Sequence, residues 1–187
     1  MSAENHSLAN ARFMAAEWPP LDVAHAALRE DERAMIVAAA NGRVTRQIAS
    51  EFFVCERTVE YRLQEAAAAL GAQNRPHLVA VAIRSGLVAP VASAKLSYLT
   101  ERELLVVQAL SEGLTIAAIA SRVLIGESAV SARIKKAKLK SAAKTREQLA
   151  AMVASRRLEA ERLQDAEARR SGDERPRRRG GWFGTSQ

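Results

Sequence analysis

The chain has one cysteine, three histidines and few aromatic residues (4% of 187). A lone Cys55 cannot close an intramolecular disulfide. With His6, His25 and His77 scattered, the sequence also lacks the clustered ligand spacing of a zinc site. No nucleophile stands in a motif with a paired base. Gly180 and Gly181 have no strand-to-helix context of the kind a phosphate loop needs. No catalytic residue, metal or cofactor is therefore expected, and the chain reads as a non-enzyme. No run approaches eighteen consecutive apolar residues, so no membrane span is expected. The first residues lack a basic segment followed by an apolar core, so no secretory signal is expected either. A cytoplasmic protein is the working expectation.

What is present is alanine and charge. Apolar residues make up 48% of the chain, with few of the aromatic and β-branched types that sheets favour. That mixture predicts an all-α protein. The formal net charge of +7 and a pI of about 10.2 permit a nucleic-acid partner without requiring one.

Sliding the chain against itself by 71 residues aligns 28–87 with 99–158 without a gap, with 17 identities over 60 positions. Only five of these pair alanine with alanine. The others include Glu32/Glu103, Gly42/Gly113, Ile48/Ile119, Glu56/Glu127, Val59/Val130, Arg62/Arg133 and Leu78/Leu149. Each copy is near the lower size at which a domain folds alone. The expected division is an arm over 1–27, a unit over 28–87, a linker over 88–98, a second unit over 99–158, and a charged extension and tail over 159–187.

Apolar spacing and helix stops predict four short helices per unit. In the first unit they fall at 30–41, 45–52 with Thr45 as cap, 56–70 and about 75–85. In the second they fall at 101–112, 116–123, 127–140 and from 147 onward. The second and third helices of each unit are joined by a tight turn, at 53–54 and 124–125, with Ala49 and Ala120 where the backbones must approach. Such a pair crosses steeply and can lay its second helix in the major groove of DNA. Val54, Val59 and Leu63, with Ile125, Val130 and Ile134, are expected on the inner face. The outer face is then Arg57, Thr58, Tyr61, Arg62 and Gln64 in the first unit. In the second it is Ser128, Ser131, Arg133, Lys135, Lys136 and Lys138.

The ordered series of residues in each unit resembles the LuxR/GerE-type helix-turn-helix domain. In the first unit these are the Ile48-Ala49 pair, Thr58-Val59 followed by Arg62, Leu70-Gly71 and the later Arg75. In the second they are Leu99-Thr100-Glu101-Arg102-Glu103, Gly113, Ile119-Ala120 and Val130 followed by Arg133. The resemblance implies a four-helix module that reads double-stranded DNA with helix three, without a wing, and often dimerises through helix four. It places Thr58 on a phosphate and Val59 against a base or thymine methyl. It also implies an apolar strip on helix four for pairing: Leu78, Val81 and Ala82 with Leu149, Met152 and Val153. On that basis the chain is expected to regulate bacterial transcription as a monomeric pseudo-dimer or a homodimer. The alternative is an adaptor that keeps the fold and binds another regulator or RNA polymerase.

The two copies depart from the family differently. Position 60, usually lysine in the family, is Glu60, which either reads an unusual base by accepting from cytosine N4 or weakens DNA binding. Its counterpart is Ser131. Cys55 replaces the family's capping serine; a small buried filler is expected there, with a redox-sensing thiol as the alternative. The second unit loses the threonine (Ala129) and the Leu-Gly ending (Ser141-Ala142) but gains a lysine run. Residues 28–87 carry 8 basic and 7 acidic side chains, and residues 99–158 carry 11 and 5. Outside the units, a short helix over 7–17 with Trp18 as a packing anchor is expected. From residue 171 the tail reads as disordered, with Arg177–Arg179 available to phosphate and Trp182-Phe183 to a partner.

Overall fold

In a computed structural model, residues 28–173 are described (side chains through 170). The expectations for the arm, for Trp18, for Arg177–Arg179 and for Trp182-Phe183 fall outside that range. Among the described residues the fold is all-helical, with eight α-helices and no strand. The first four are α1 (Glu30–Ala40), α2 (Thr45–Glu51), α3 (Glu56–Ala69) and α4 (Arg75–Arg84). After a 3-10 turn at Ala94–Tyr98 come α5 (Glu101–Ser111), α6 (Ile116–Val123), α7 (Glu127–Ser141) and α8 (Arg146–Asp173). The last reaches three residues into the stretch expected to be disordered.

Helix ends follow local chemistry. At α5, Thr100 Oγ1 accepts from the Glu103 N–H (3.3 Å) while Glu103 Oε2 accepts from the Thr100 N–H (2.9 Å), a closed capping box. At α1 only the return bond survives, from the Arg29 N–H to Glu32 at 2.9 Å, because Arg29 stands where the second unit has threonine. Thr45 does not cap α2, as the sequence suggested. The extended residue is Val44, whose counterpart Thr115 does cap α6 by accepting from the Ala118 N–H at 3.2 Å. The Thr45 hydroxyl instead accepts from Arg75 Nη1 at 2.8 Å and ties α2 to α4.

Each unit has its own core. Met35, Ile36, Ile48, Val59, Leu63 and Leu78 are fully buried in the first, and Leu96, Val106, Val107, Ile119, Val130, Ile134 and Leu149 in the second. The strongest packing between any two helices is that of α4 on α8. On α8 the residues that enter the first core are not those of the expected strip. Leu149, Met152 and Val153 lie in the second unit's own core, whereas Ala151, Ala154 and Leu158 pack into the core of the first. At 3.6 residues per turn these two sets occupy opposite faces of α8, so the helix is shared between both cores. On α4, Leu78, Val81 and Ala82 share the first core with Ala80 and Ile83, the counterparts of Ala151 and Ala154. The linker is held down as well, the Val91 N–H donating to Ser155 Oγ at 2.9 Å.

The junction has a reciprocal geometry. α1 ends at Gly42 (φ +81°) and α5 at Gly113 (φ +87°), each closed by paired backbone bonds of the Schellman type. Gly42 sits under the Gln148 side chain of α8, and Gly113 under the His77 ring of α4. His77 and Gln148 are themselves 71 residues apart. Each accepts a bond from the backbone N–H four residues earlier, Gln73 at 3.1 Å and Lys144 at 2.8 Å. Across the junction Asn74 Nδ2 donates to the Gly113 carbonyl at 2.7 Å, and Arg75 pairs with Glu147 at 3.4 Å.

These positions can be ranked by substitution. Gly71 (φ +64°) has open space around it, so Gly71→Ala should cost only left-handed strain, about 1–2 kcal/mol. Gly113→Ala would in addition set a methyl 2.6 Å from His77 Nδ1 and 3.2 Å from His77 Cβ. It should lose roughly 1–3 kcal/mol more through overpacking. Gly42→Ala should fall between the two, since the tip of Gln148 can swing away at the cost of its bond from Lys144. Urea titrations measure the order; Gly113→Ala no worse than Gly71→Ala would contradict the junction.

Candidate nucleic-acid interface

In each unit a short helix leads through a turn into a longer one whose outer face is open. The turn places one bulky residue in the left-handed region, Phe53 (φ +54°) and Leu124 (φ +54°), and turns its side chain outward; they are 96% and 90% exposed. The next residues, Val54 and Ile125, bond back to Ala49 and Ala120 (3.0 and 3.1 Å) and pack against the cores. α3 is then fixed by Val59, Leu63 and Ala66, and α7 by Val130, Ile134 and Ala137.

That buried stripe decides what can face outward. On α3 the exposed ridge is Arg57, Glu60, Tyr61, Gln64 and Glu65. Val59 is 0% exposed, so the side chain expected against a base is part of the core instead. The reason is geometric: one residue cannot both anchor the helix and reach outward. Thr58 is half-buried, and its hydroxyl lies 3.1 Å from Cys55 Sγ. Cys55 is exposed at the helix start rather than buried, and the Thr58 hydrogen bond pulls its thiol below the usual range. On α7, Ser128, Lys135 and Lys136 are exposed, and Ser131, Arg133 and Lys138 half-buried. Ala132, the counterpart of Tyr61, is exposed at the centre of this face. It was absent from the sequence expectation, although the stripe Val130–Ile134–Ala137 already points it outward.

The two faces differ in how their charges are tied to helix one of the same unit. In the first unit Arg62 pairs with Asp31, and Arg29 bridges Glu32 (2.6 Å) and Glu65 (3.1 Å). The neighbouring Glu65 carboxylate also raises the pKa of the Tyr61 phenol above its ordinary value. In the second unit Arg102 stands where the first has Asp31, and among the described residues Arg133, Lys135 and Lys138 have neither an ion pair nor a side-chain hydrogen bond. Lys140 (2.7 Å) and Lys136 (3.8 Å) converge on buried Glu103, whose carboxyl is lowered to about 2 by the Lys140 bond and the Thr100 N–H. Taken as helices, α3 carries a net −1 and α7 a net +4.

Among the described residues no group of histidine, cysteine, aspartate or glutamate could hold a metal ion, and no helix is long and apolar enough to cross a membrane. What the geometry defines is a pair of tandem four-helix units of helix-turn-helix form. The profile of the "Bacterial regulatory proteins, luxR family" matches twice, over residues 26–82 and 97–153, more than half of the chain. The chain belongs to that family, one of DNA-binding regulators of transcription. No curated protein and no solved structure gives a match.

Glu103 provides a pH test of the second unit. Its folded pKa lies below the ordinary carboxylate value, so its stabilisation is present above about pH 4.5 and is lost as the pH falls toward 2. The thermal midpoint of the full chain should therefore drop across that window. Lys140→Met should lower the midpoint at neutral pH and flatten the acid limb. An acid limb as steep in Lys140→Met as in the wild type would remove the pair from the account.

Proposed function

We propose that the chain binds double-stranded DNA with sequence preference and regulates transcription as an internal pseudo-dimer, its two units (28–87 and 99–158) taking neighbouring half-sites. The observation that carries this reading is the packing of α4 on α8 with the reciprocal contacts of Gly42 with Gln148 and Gly113 with His77. Two symmetry-related reading helices suit two half-sites. A covalent tandem keeps the second unit at high effective concentration without a second chain. Arg57, Thr58, Glu60, Tyr61 and Gln64 on α3 would meet one groove. Ser128, Ser131, Ala132, Lys135, Lys136 and Lys138 on α7 would meet the other, with Arg62 and Arg133 at the flank nearest helix one. The second unit supplies most of the attraction to phosphate, since α7 holds the open cations.

The test is binding to duplex DNA over a salt series, with stoichiometry measured by sedimentation. One chain per two half-sites is expected. Lys135→Ala should weaken binding to all sequences alike and reduce the salt slope by about one unit. A salt-independent response, or binding unchanged in a Lys135→Ala and Arg133→Ala double variant, would favour the adaptor reading, in which the fold serves another regulator or RNA polymerase.

A further inference from the structure

Glu60 and Ser131 occupy the same place on the reading helices of the two units. Around them the charge is arranged differently. On the α1 side of α3, Arg62 is tied to Asp31, and Arg29 is tied to Glu32 and Glu65. Both arginines are thereby engaged by carboxylates at the helix flank. Glu60 is exposed and, among the described residues, makes no ion pair or hydrogen bond. It is therefore an open carboxylate on the exposed ridge of α3, one turn before Gln64. Arg57, also exposed and unpaired among the described residues, lies one turn before Glu60.

A carboxylate in a DNA groove is acceptor-only. In the major groove guanine offers the acceptors N7 and O6, thymine offers O4, and adenine sets its amino donor beside N7. Cytosine offers the N4 donor without a neighbouring acceptor on the same base. A carboxylate there is best satisfied by cytosine, because adenine sets an acceptor beside its donor and guanine and thymine present acceptors, and Arg57 is a cation available to phosphate one turn earlier. Ser131 can donate or accept and makes no such demand.

From this we infer that the chain reads an asymmetric DNA site. Glu60 selects a cytosine in the half-site of the first unit, while the second unit anchors the complex through Lys135 and its neighbours and carries no such preference at Ser131. The inference rests on the DNA-binding reading above and assigns the base class that α3 recognises.

The experiment is selection of duplexes from a randomised pool by the full chain, followed by binding titrations on the selected site and on single-base variants. The wild type should return unequal half-sites, with a C·G pair fixed in one. Replacing that pair should cost about tenfold in affinity. Glu60→Ser, which gives α3 the residue α7 has, should abolish the preference and raise affinity for unrelated duplexes several-fold, leaving the other half-site unchanged. Ser131→Glu should install a cytosine preference in the second half-site. Both positions lie on the outer faces of their helices, and circular dichroism checks that the variants remain folded. Equal half-sites in the wild type, or an unaltered selected sequence with Glu60→Ser, overturns the inference and leaves DNA binding standing. Failure to retain any duplex overturns both.

Discussion

α8 faces two cores at once. Leu149, Met152 and Val153 fill the second unit, while Ala151, Ala154 and Leu158 enter the first from the opposite side of the helix. Close approach of α4 and α8 needs small side chains at the crossing, and alanine supplies them at 151 and 154. A buried alanine contributes little through its own area, on the order of one methyl group's transfer energy. Its value here is the distance it permits, because larger neighbours on both helices then reach across. A charge at either position would be stranded between two apolar clusters. The junction thus couples the stability of the units, and neither core is complete without a helix that also belongs to the other.

Within this reciprocal arrangement, the units differ in charge along α3 and α7 themselves and also at the start of helix one. Arg29 and Asp31 in the first unit correspond to Thr100 and Arg102 in the second. Asp31 draws Arg62 to the flank, and Arg29 occupies both Glu32 and Glu65. In the second unit Thr100 completes a capping box, and Glu103 is left to Lys136 and Lys140. An exposed pair such as that of Arg29 with Glu65 contributes little to stability on its own. The consequence of these ties lies in what remains available to solvent: an acidic acceptor on α3 and a group of open cations on α7.

The all-helical class, the 71-residue repeat, the helix order and the turns at 53–54 and 124–125 were legible in the sequence, because apolar spacing and helix-stopping glycines are local signals. Other features depend on three dimensions. Which face of α8 enters which core is not legible, because both faces of that helix are apolar, and spacing alone cannot say which neighbour each one meets. Val59 was given two incompatible tasks, and burial removes one. Ala132 was missed because a methyl group carries no chemical signal, although its angle on the helix is fixed by Val130 and Ile134. The ties of Arg62 to Asp31 and of Arg29 to Glu65 join residues that are far apart in sequence, so no helical periodicity could reveal them.

Fusion of two units in one chain also relaxes a constraint that symmetry imposes. In a homodimer with an isologous interface every substitution appears in both subunits. A glutamate at the reading position would then oppose phosphate twice, with no second, more basic helix to compensate. Here position 60 can be acidic while its counterpart at 131 stays neutral beside Lys135. The net −1 of α3 is carried by a chain whose other reading helix is net +4. In the proposed reading, the separate sequences would allow attraction and discrimination to be divided between the two helices.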